Sequence, residues 1–382
     1  MAKGKHLEGC LPTNHQELLL KACLLQGEAA INAWYEWKAE VDIEQIDHDS
    51  HRLLPLLYQN LSHNSIQDQL LSRYKNIYRQ TWYKNQIIFH CMADVLRILR
   101  DEGIPGMILK GGALTLQYYK DFGLRPMDDF DIMVPTTKAR QTINLLTKFN
   151  WQPKSPYKQM YNDAYFSFLH ADIFKDSNGR LLDLHWHTIL ECRDMHADDA
   201  FWEKAVPVKI NKSLTAQTMC PADQLLHIIV HGICWNPRPL PRWVADAMMV
   251  LNSSAKIDWD RLILQAKKRR LTLHLKNSLN YLRYLLGAPI PLTKFDEIQK
   301  IPISNFERRE WYWQHRSPEI SAIFFVLWFR ISRLKDGGSF AERLIGFAKY
   351  MQFVWRVKHL WQLPVYFIIK SMRRIWRHIV PL

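Results

Sequence analysis

Cysteine is scarce and unpatterned in this chain. The six cysteines, Cys10, Cys23, Cys91, Cys192, Cys220 and Cys234, form no C-x-x-C pair. A chain of 382 residues needs no disulfide staples, so a reduced, cytosolic protein is the expectation. A long apolar run is also missing. The longest uncharged one, Ile320–Phe329, is about half of the roughly 20 residues a spanning helix requires. Met1–Pro12 carries charge without the apolar segment of a secretory signal. With 14 Gly and 18 Pro, collagen-like and low-complexity chains are excluded. No G-x-S-x-G and no evident Cys–His pair occurs, so acyl-transfer chemistry has no support. Acids are outnumbered: 37 Asp and Glu face 51 Lys and Arg, a net charge of +14. That excess favours anionic partners such as nucleotides, nucleic acid or a lipid surface.

What is present is globular. Hydrophobic residues make up 48% and charged residues 23%, enough to bury a large core. At roughly 100–200 residues per domain, two or three domains are expected. The first third reads helical. Asn14 is placed to cap a helix running to Gln26, with Gly27 as its stop. Further helices follow around Trp34 and Trp37, over Leu53–Leu61, and from Ile66 to Arg100, ended by Gly103 and Pro105.

The character changes at Gly106. Met107–Leu109 is a short apolar run, followed by Lys110-Gly111-Gly112 and a helix-like Ala113–Lys120. Phe130–Val134 reads as a buried strand, and Thr136 starts a helix through Phe149. Tyr165–Phe174 and Leu181–His187 read as strands joined by a turn-rich loop, Lys175–Gly179. The order β-α-β-α-β-β implies a small mixed sheet carrying helices, an α+β fold. From Pro221 onward the pattern is helical again. The expected division is a helical segment over 1–103, an α/β core over 104–212 and a helical region over 213–382.

The chemistry concentrates in the α/β core. Asp129 and Asp131 are two apart on an expected strand, so they share a face. Paired carboxylates repel, and a hard divalent ion such as Mg²⁺ relieves them. Asp183 adds a third acid within the apolar Leu181–His187 segment, with His185 and His187 on its face. Three carboxylates on neighbouring strands suit a two-metal site. Gly111 and Gly112 open a helix, where backbone N–H groups and the helix dipole attract phosphate. They could equally make only a tight turn. Lys110 and Arg125 either add positive charge there or pair with nearby acids.

These residues carry a resemblance. The pattern resembles the nucleotidyltransferase superfamily that includes DNA polymerase beta and the minimal nucleotidyltransferases. More closely, it resembles a bacterial family usually called uncharacterised nucleotidyltransferases. The matching segments are Lys110–Gly112, Arg125–Asp131, Asp183–Trp186, His231-Gly232 and Arg242–Asp246. The likeness spans Leu18 to about Leu285 and is weakest in the basic C-terminal segment. It implies a nucleotidyltransferase core in which Asp129, Asp131 and Asp183 hold Mg²⁺ or Mn²⁺ and act catalytically. Lys110, Gly111, Gly112 and Arg125 would receive the triphosphate of an NTP. Gly112 stands where the wider superfamily often has serine, so a hydroxyl contact to phosphate is absent. The implied reaction moves an NMP from the NTP to an acceptor hydroxyl and releases pyrophosphate. The acceptor is left open among small molecules, sugars, peptides, proteins and RNA. No recognised nucleic-acid-binding motif supports the last. The alternative is a degenerate nucleotide-binding or interaction module at an anionic membrane surface.

Other candidates have plainer readings. Asp128 faces solvent or caps a turn. His185 and His187 serve near the site or are hydrogen-bonded structural histidines. His227 and His231 are four apart on an expected helix, but no Glu follows His227, so they read as structural. Arg330–Leu382 holds eleven Lys or Arg against Asp336 and Glu342, interleaved with aromatics. This segment either packs on the helical region with its bases solvated or lies as an interfacial helix on anionic lipid, a peripheral contact at the inner membrane surface.

Overall fold

The computed structural model describes residues 11–154, 161–234, 240–314, 320–334 and 339–369. Cys10, Trp376 and the rest of the tail beyond residue 369 lie outside these residues.

Helices open the chain: α1 (Asn14–Leu24), α2 (Gly27–Glu40), α3 (His48–His51), α4 (Leu54–His63) and α5 (Leu70–Asp101). Thr13, one residue ahead of the expected cap, accepts from the Gln16 N–H in a capping box. Gly27, with φ at +57°, starts α2 as well as separating it from α1. After α5 come β1 (Met107–Ile108), α6 (Lys110–Leu114), β2 (Phe130–Met133), α7 (Ala139–Lys148) and β3 (Gln152–Pro153). Then follow α8 (Asp163–Phe168), β4 (Ala171–Lys175), β5 (Leu181–His185), α9 (Asp199–Glu203), β6 (Val206–Asn211) and β7 (Leu214–Thr218). The rest is helical: α10 (Pro221–Cys234), α11 (Arg242–Leu251), α12 (Trp259–Lys268), α13 (Thr272–Leu286), α14 (Leu292–Lys300), α15 (Asn305–Gln314), α16 (Ile320–Leu334) and α17 (Phe340–Trp355).

The fold is α+β, as its element pattern implied. One mixed sheet runs β3-β4-β5-β2-β1-β7-β6. The central pair β2 and β5 is parallel, while β1–β2 and the two hairpins β4–β5 and β6–β7 are antiparallel. Two details depart from the sequence reading. Residues 165–168, the start of the strand expected over Tyr165–Phe174, belong instead to α8, which Asn162 caps by accepting from the Tyr165 N–H. The β6–β7 hairpin was not foreseen, and the expected division at residue 212 falls in its turn.

Alternation along β2 sorts the sheet into two sides. Phe130 and Ile132 pack with Leu182 and Leu184 on a core backed by the second half of α5 and by α7. Met133 faces the other way, into a core that joins α1, α4, α10, α11 and α13. Helices from both ends of the chain therefore cover one side of the sheet together. The candidate site lies on that side, between the sheet and α10–α11.

Candidate active site

Parallel pairing sets Asp131 opposite Asp183 and Met133 opposite His185. Asp131, Asp183 and His185 consequently share a face at the middle of the sheet. Asp131 is only 4% exposed, so its charge requires partners. Two cations supply them. Lys110 Nζ lies 2.6 Å from Asp131 Oδ1 and 3.3 Å from Asp183 Oδ2. His185 Nε2 lies 2.9 Å from Asp183 Oδ2 and 3.2 Å from Asp131 Oδ1. Lys110 adopts φ +44°, a left-handed backbone that costs a non-glycine residue about 1 kcal/mol. The turn from β1 into α6 thus holds an unfavourable conformation where its lysine meets the two carboxylates.

Burial alone would discharge the histidine, but Asp183 outweighs it and pushes His185 up to about 9. His185 is therefore an imidazolium at neutral pH. Burial also raises Asp131 and Asp183, yet Lys110 and His185 together hold both below the usual carboxylate range. Asp129, just ahead of β2, behaves differently. Burial and the nearby Asp131 push it up to about 6. Donor atoms of Asp131, Asp183 and His185 all lie within 4.8 Å of one another, close enough to hold one metal ion. Asp129 lies outside that cluster but lines the same cleft.

The cleft, counted with its open mouth, spans roughly 940 Å³. The loop Arg125–Asp129 forms one rim and is gripped from three sides. Asn85 Nδ2 donates to the carbonyls of Phe122 and Arg125 at 2.6 and 2.8 Å. Arg52 pairs with Asp128 and donates to the Pro126 carbonyl, while Lys84 takes the other Asp128 oxygen. Arg125 reaches across to α11, where Nε and Nη2 donate to the two Asp246 oxygens, each at 2.8 Å. Tyr119 Oη donates to the same carboxylate at 2.9 Å. This buried fork ties the loop to α11. Gly111 fits beneath it, since a Cβ there would meet Arg125 Nη1 at 2.4 Å.

Helices α10 and α11 make the opposite wall. Gly232 brings them together, for a Cβ there would meet Trp243 at 2.3 Å. Arg242 lines the cleft and donates to the Pro126 carbonyl at 3.4 Å. Among the described residues it has no carboxylate within salt-bridge distance. Burial, with Arg125 and Arg52 nearby, pulls its guanidinium down to about 10, still a cation at neutral pH. His227 is pushed down to about 3 by burial and by Lys110, so its ring is neutral. Gln224 on the same wall is fully buried, and its amide oxygen and nitrogen have no hydrogen-bond partner among the described residues.

The structure brings Lys110, Asp131 and Asp183 into contact and sets Asp129, Gly111 and Arg125 around the same cleft. Gly112 packs its α-carbon against Ile108 and Met92 in the core. Of the two open readings for Lys110 and Arg125, both side chains pair with acids. His187 lies past the end of β5 and binds Asp198 at 2.9 Å, a structural histidine. Asp128 is a surface ion-pair residue. The bridging role of His185, the Arg125–Asp246 fork and the position of Arg242 were not foreseen. One signal was available: Arg242 and Asp246 are four apart and so share a helix face.

A nucleotidyltransferase is the class of protein that this sheet and its carboxylate corner fit. The model of a family described as "Uncharacterised nucleotidyltransferase" matches residues 48–287, more than half of the chain. The chain belongs to that family. Among solved structures it is similar to an antigenic nucleotidyltransferase-like protein from Paracoccidioides brasiliensis, at 14% identity and a TM-score of 0.35. That match covers 56% of this chain and 98% of the other. No curated protein matches the sequence.

Proposed function

We propose that the chain transfers a nucleoside monophosphate from an NTP to an acceptor hydroxyl and releases pyrophosphate. The observation that carries this is the in-register pair Asp131 and Asp183 on β2 and β5, beside a cleft rimmed with cations. The donor set fits a divalent ion. Carboxylate oxygens suit Mg²⁺ or Mn²⁺, and Asp131 and Asp183 would hold it, with Asp129 alongside. Such an ion neutralises charge on the phosphates and polarises the phosphorus under attack.

The chain's own residues do the positioning. Arg242 has charge to spare and would take a phosphate of the triphosphate, while Arg125 is committed to Asp246 and fixes the loop. Gly111 leaves room for Arg125 beneath the rim. The acceptor hydroxyl would bond to the α-phosphorus and lose its proton to a carboxylate of the cleft. The bond from that phosphorus to the bridging oxygen would break, and pyrophosphate would carry off the electron pair. Loose transfers of this kind depend mainly on position and charge.

One observation favours a second reading. Lys110 and His185 already balance Asp131 and Asp183, so the corner is charge-neutral without a metal ion. A nucleotide-binding module without catalysis would have that property. Incubation with each labelled NTP, Mg²⁺ and a cell extract separates the two. Label transfer with pyrophosphate release, lost in Asp131→Asn and Asp183→Asn, supports the enzyme. Calorimetric NTP binding with no pyrophosphate release supports the module.

A further inference from the structure

We propose that the C-terminal end of the chain docks on an anionic lipid surface. Helix α17 packs against α16, where Ile331 joins Tyr350 and Met351, and against α8, and it leaves an outer stripe exposed. Tyr350, Met351 and Phe353 are buried, and Phe168 of α8 packs on the rings of Tyr350 and Phe353 at 5.4 and 5.5 Å. Its outer stripe shows Phe340 at 71%, Leu344 at 50% and Ile345 at 53% exposed. After α17 the chain turns at Arg356 and enters a short helical stretch over residues 360–369. There Trp361, Val365 and Ile368 are 71%, 53% and 57% exposed. Apolar side chains projecting to this extent from consecutive turns are costly in water and mark an interaction surface.

Charge selects the occupant. From Lys349 to Leu382 the sequence has seven Lys or Arg and no Asp or Glu. Lys349 and Lys358 are exposed beside the apolar groups. A second copy of the chain would bring the same positive charge against itself. Bases of a nucleic acid stack on aromatic rings but leave Leu344, Ile345, Val365 and Ile368 without a matching surface. A lipid surface satisfies both halves, hydrocarbon for the aliphatic and indole groups and phosphate headgroups for the lysines. Among the described residues no helix is long and apolar enough to cross a membrane, so this end would lie on the surface.

Flotation with phosphatidylcholine vesicles, with and without phosphatidylglycerol, tests the proposal on the full chain. The expected result is retention on phosphatidylglycerol vesicles that weakens with salt. A Trp361→Glu, Ile368→Glu double variant should lose about tenfold or more in retention, with its melting temperature unchanged because both side chains are exposed. Equal retention on both vesicle types, no retention on either, or retention unaffected by the double variant overturns it. So does a concentration-dependent dimer that the double variant dissolves while vesicle binding is absent.

Discussion

Asp131, Arg125 and Asp246 in the cleft are charged and at most 5% exposed, whereas Trp361 and Val365 at the C-terminal end are apolar and 71% and 53% exposed. Both regions invert the usual distribution of side chains. The difference between them lies in who supplies the compensation. In the cleft the chain itself supplies most of it: Lys110 and His185 balance two carboxylates, and Asp246 balances Arg125. At the C-terminal end the described residues cover the apolar stripe only at its edges, where Trp328 meets Phe340 and His359 stacks on Trp361. Within the cleft, Arg242 resembles the C-terminal end more than its neighbours, because among the described residues no carboxylate lies within salt-bridge distance of it and it donates to the Pro126 carbonyl. Unmatched groups, charged or apolar, are where a fold invites something external.

Removing one buried carboxylate breaks the charged half of the comparison most severely. Asp131→Asn leaves Lys110 and His185 facing a single acid and deletes a metal ligand. Pyrophosphate release should fall about a thousandfold, on the order of 4 kcal/mol of transition-state stabilisation. Activity within a few fold of wild type would remove the metal assignment.

Next in size is the fork. Asp246→Ala strands a buried guanidinium and should cost about 3–5 kcal/mol in urea unfolding. Its pH signature follows from the same pairing. Burial raises the Asp246 carboxyl, but Arg125 outweighs it and holds it below its ordinary 3.8. A depressed carboxylate contributes stability that is complete above about pH 4 and is lost as pH falls through the folded value. Acid unfolding should therefore be less steep in Asp246→Asn than in wild type.

Arg242→Ala sharpens the contrast between matched and unmatched cations. Asp246 keeps Arg125 as its ion-pair partner, so unfolding stability should change by less than about 1 kcal/mol. The KM for NTP should rise about tenfold with kcat altered less, the mark of lost phosphate binding. Arg242→Lys should recover part of it, since an ammonium keeps the charge but not the fork. If Arg242→Ala instead unfolds the protein, the residue is a packing element. The smallest effect is expected at the exposed end, where Trp361→Glu should shift unfolding by no more than about 0.5 kcal/mol.

Much of the candidate site was legible because its pieces are local. Period-two spacing singled out Asp131, though Asp129 falls just ahead of β2 and outside the Asp131–Asp183–His185 cluster, and the apolar run of Leu181–His187 marked a strand with an acid in it. The Lys110-Gly111-Gly112 turn was equally visible, as was the helical character of both ends. Less was legible where identity depends on distant partners. Residues 165–168 looked like strand because Tyr and Phe favour β structure, yet a cap at Asn162 and packing of Tyr165 made them a helix. The β6–β7 hairpin has few strongly apolar residues, and its pairing with β1 stabilises it from 110 residues earlier in the chain.

By itself the sequence determined the α+β class, the carboxylates and the glycine turn, because alternation and turn chemistry act over a few residues. Only the tertiary structure decided which charges are already paired. It joined Arg125 to Asp246, set His185 between Asp131 and Asp183, and left Arg242 with no carboxylate in salt-bridge range among the described residues. Pairing across a hundred residues depends on how the helices close over the sheet, and Coulomb attraction in a buried cleft is decided by that final distance.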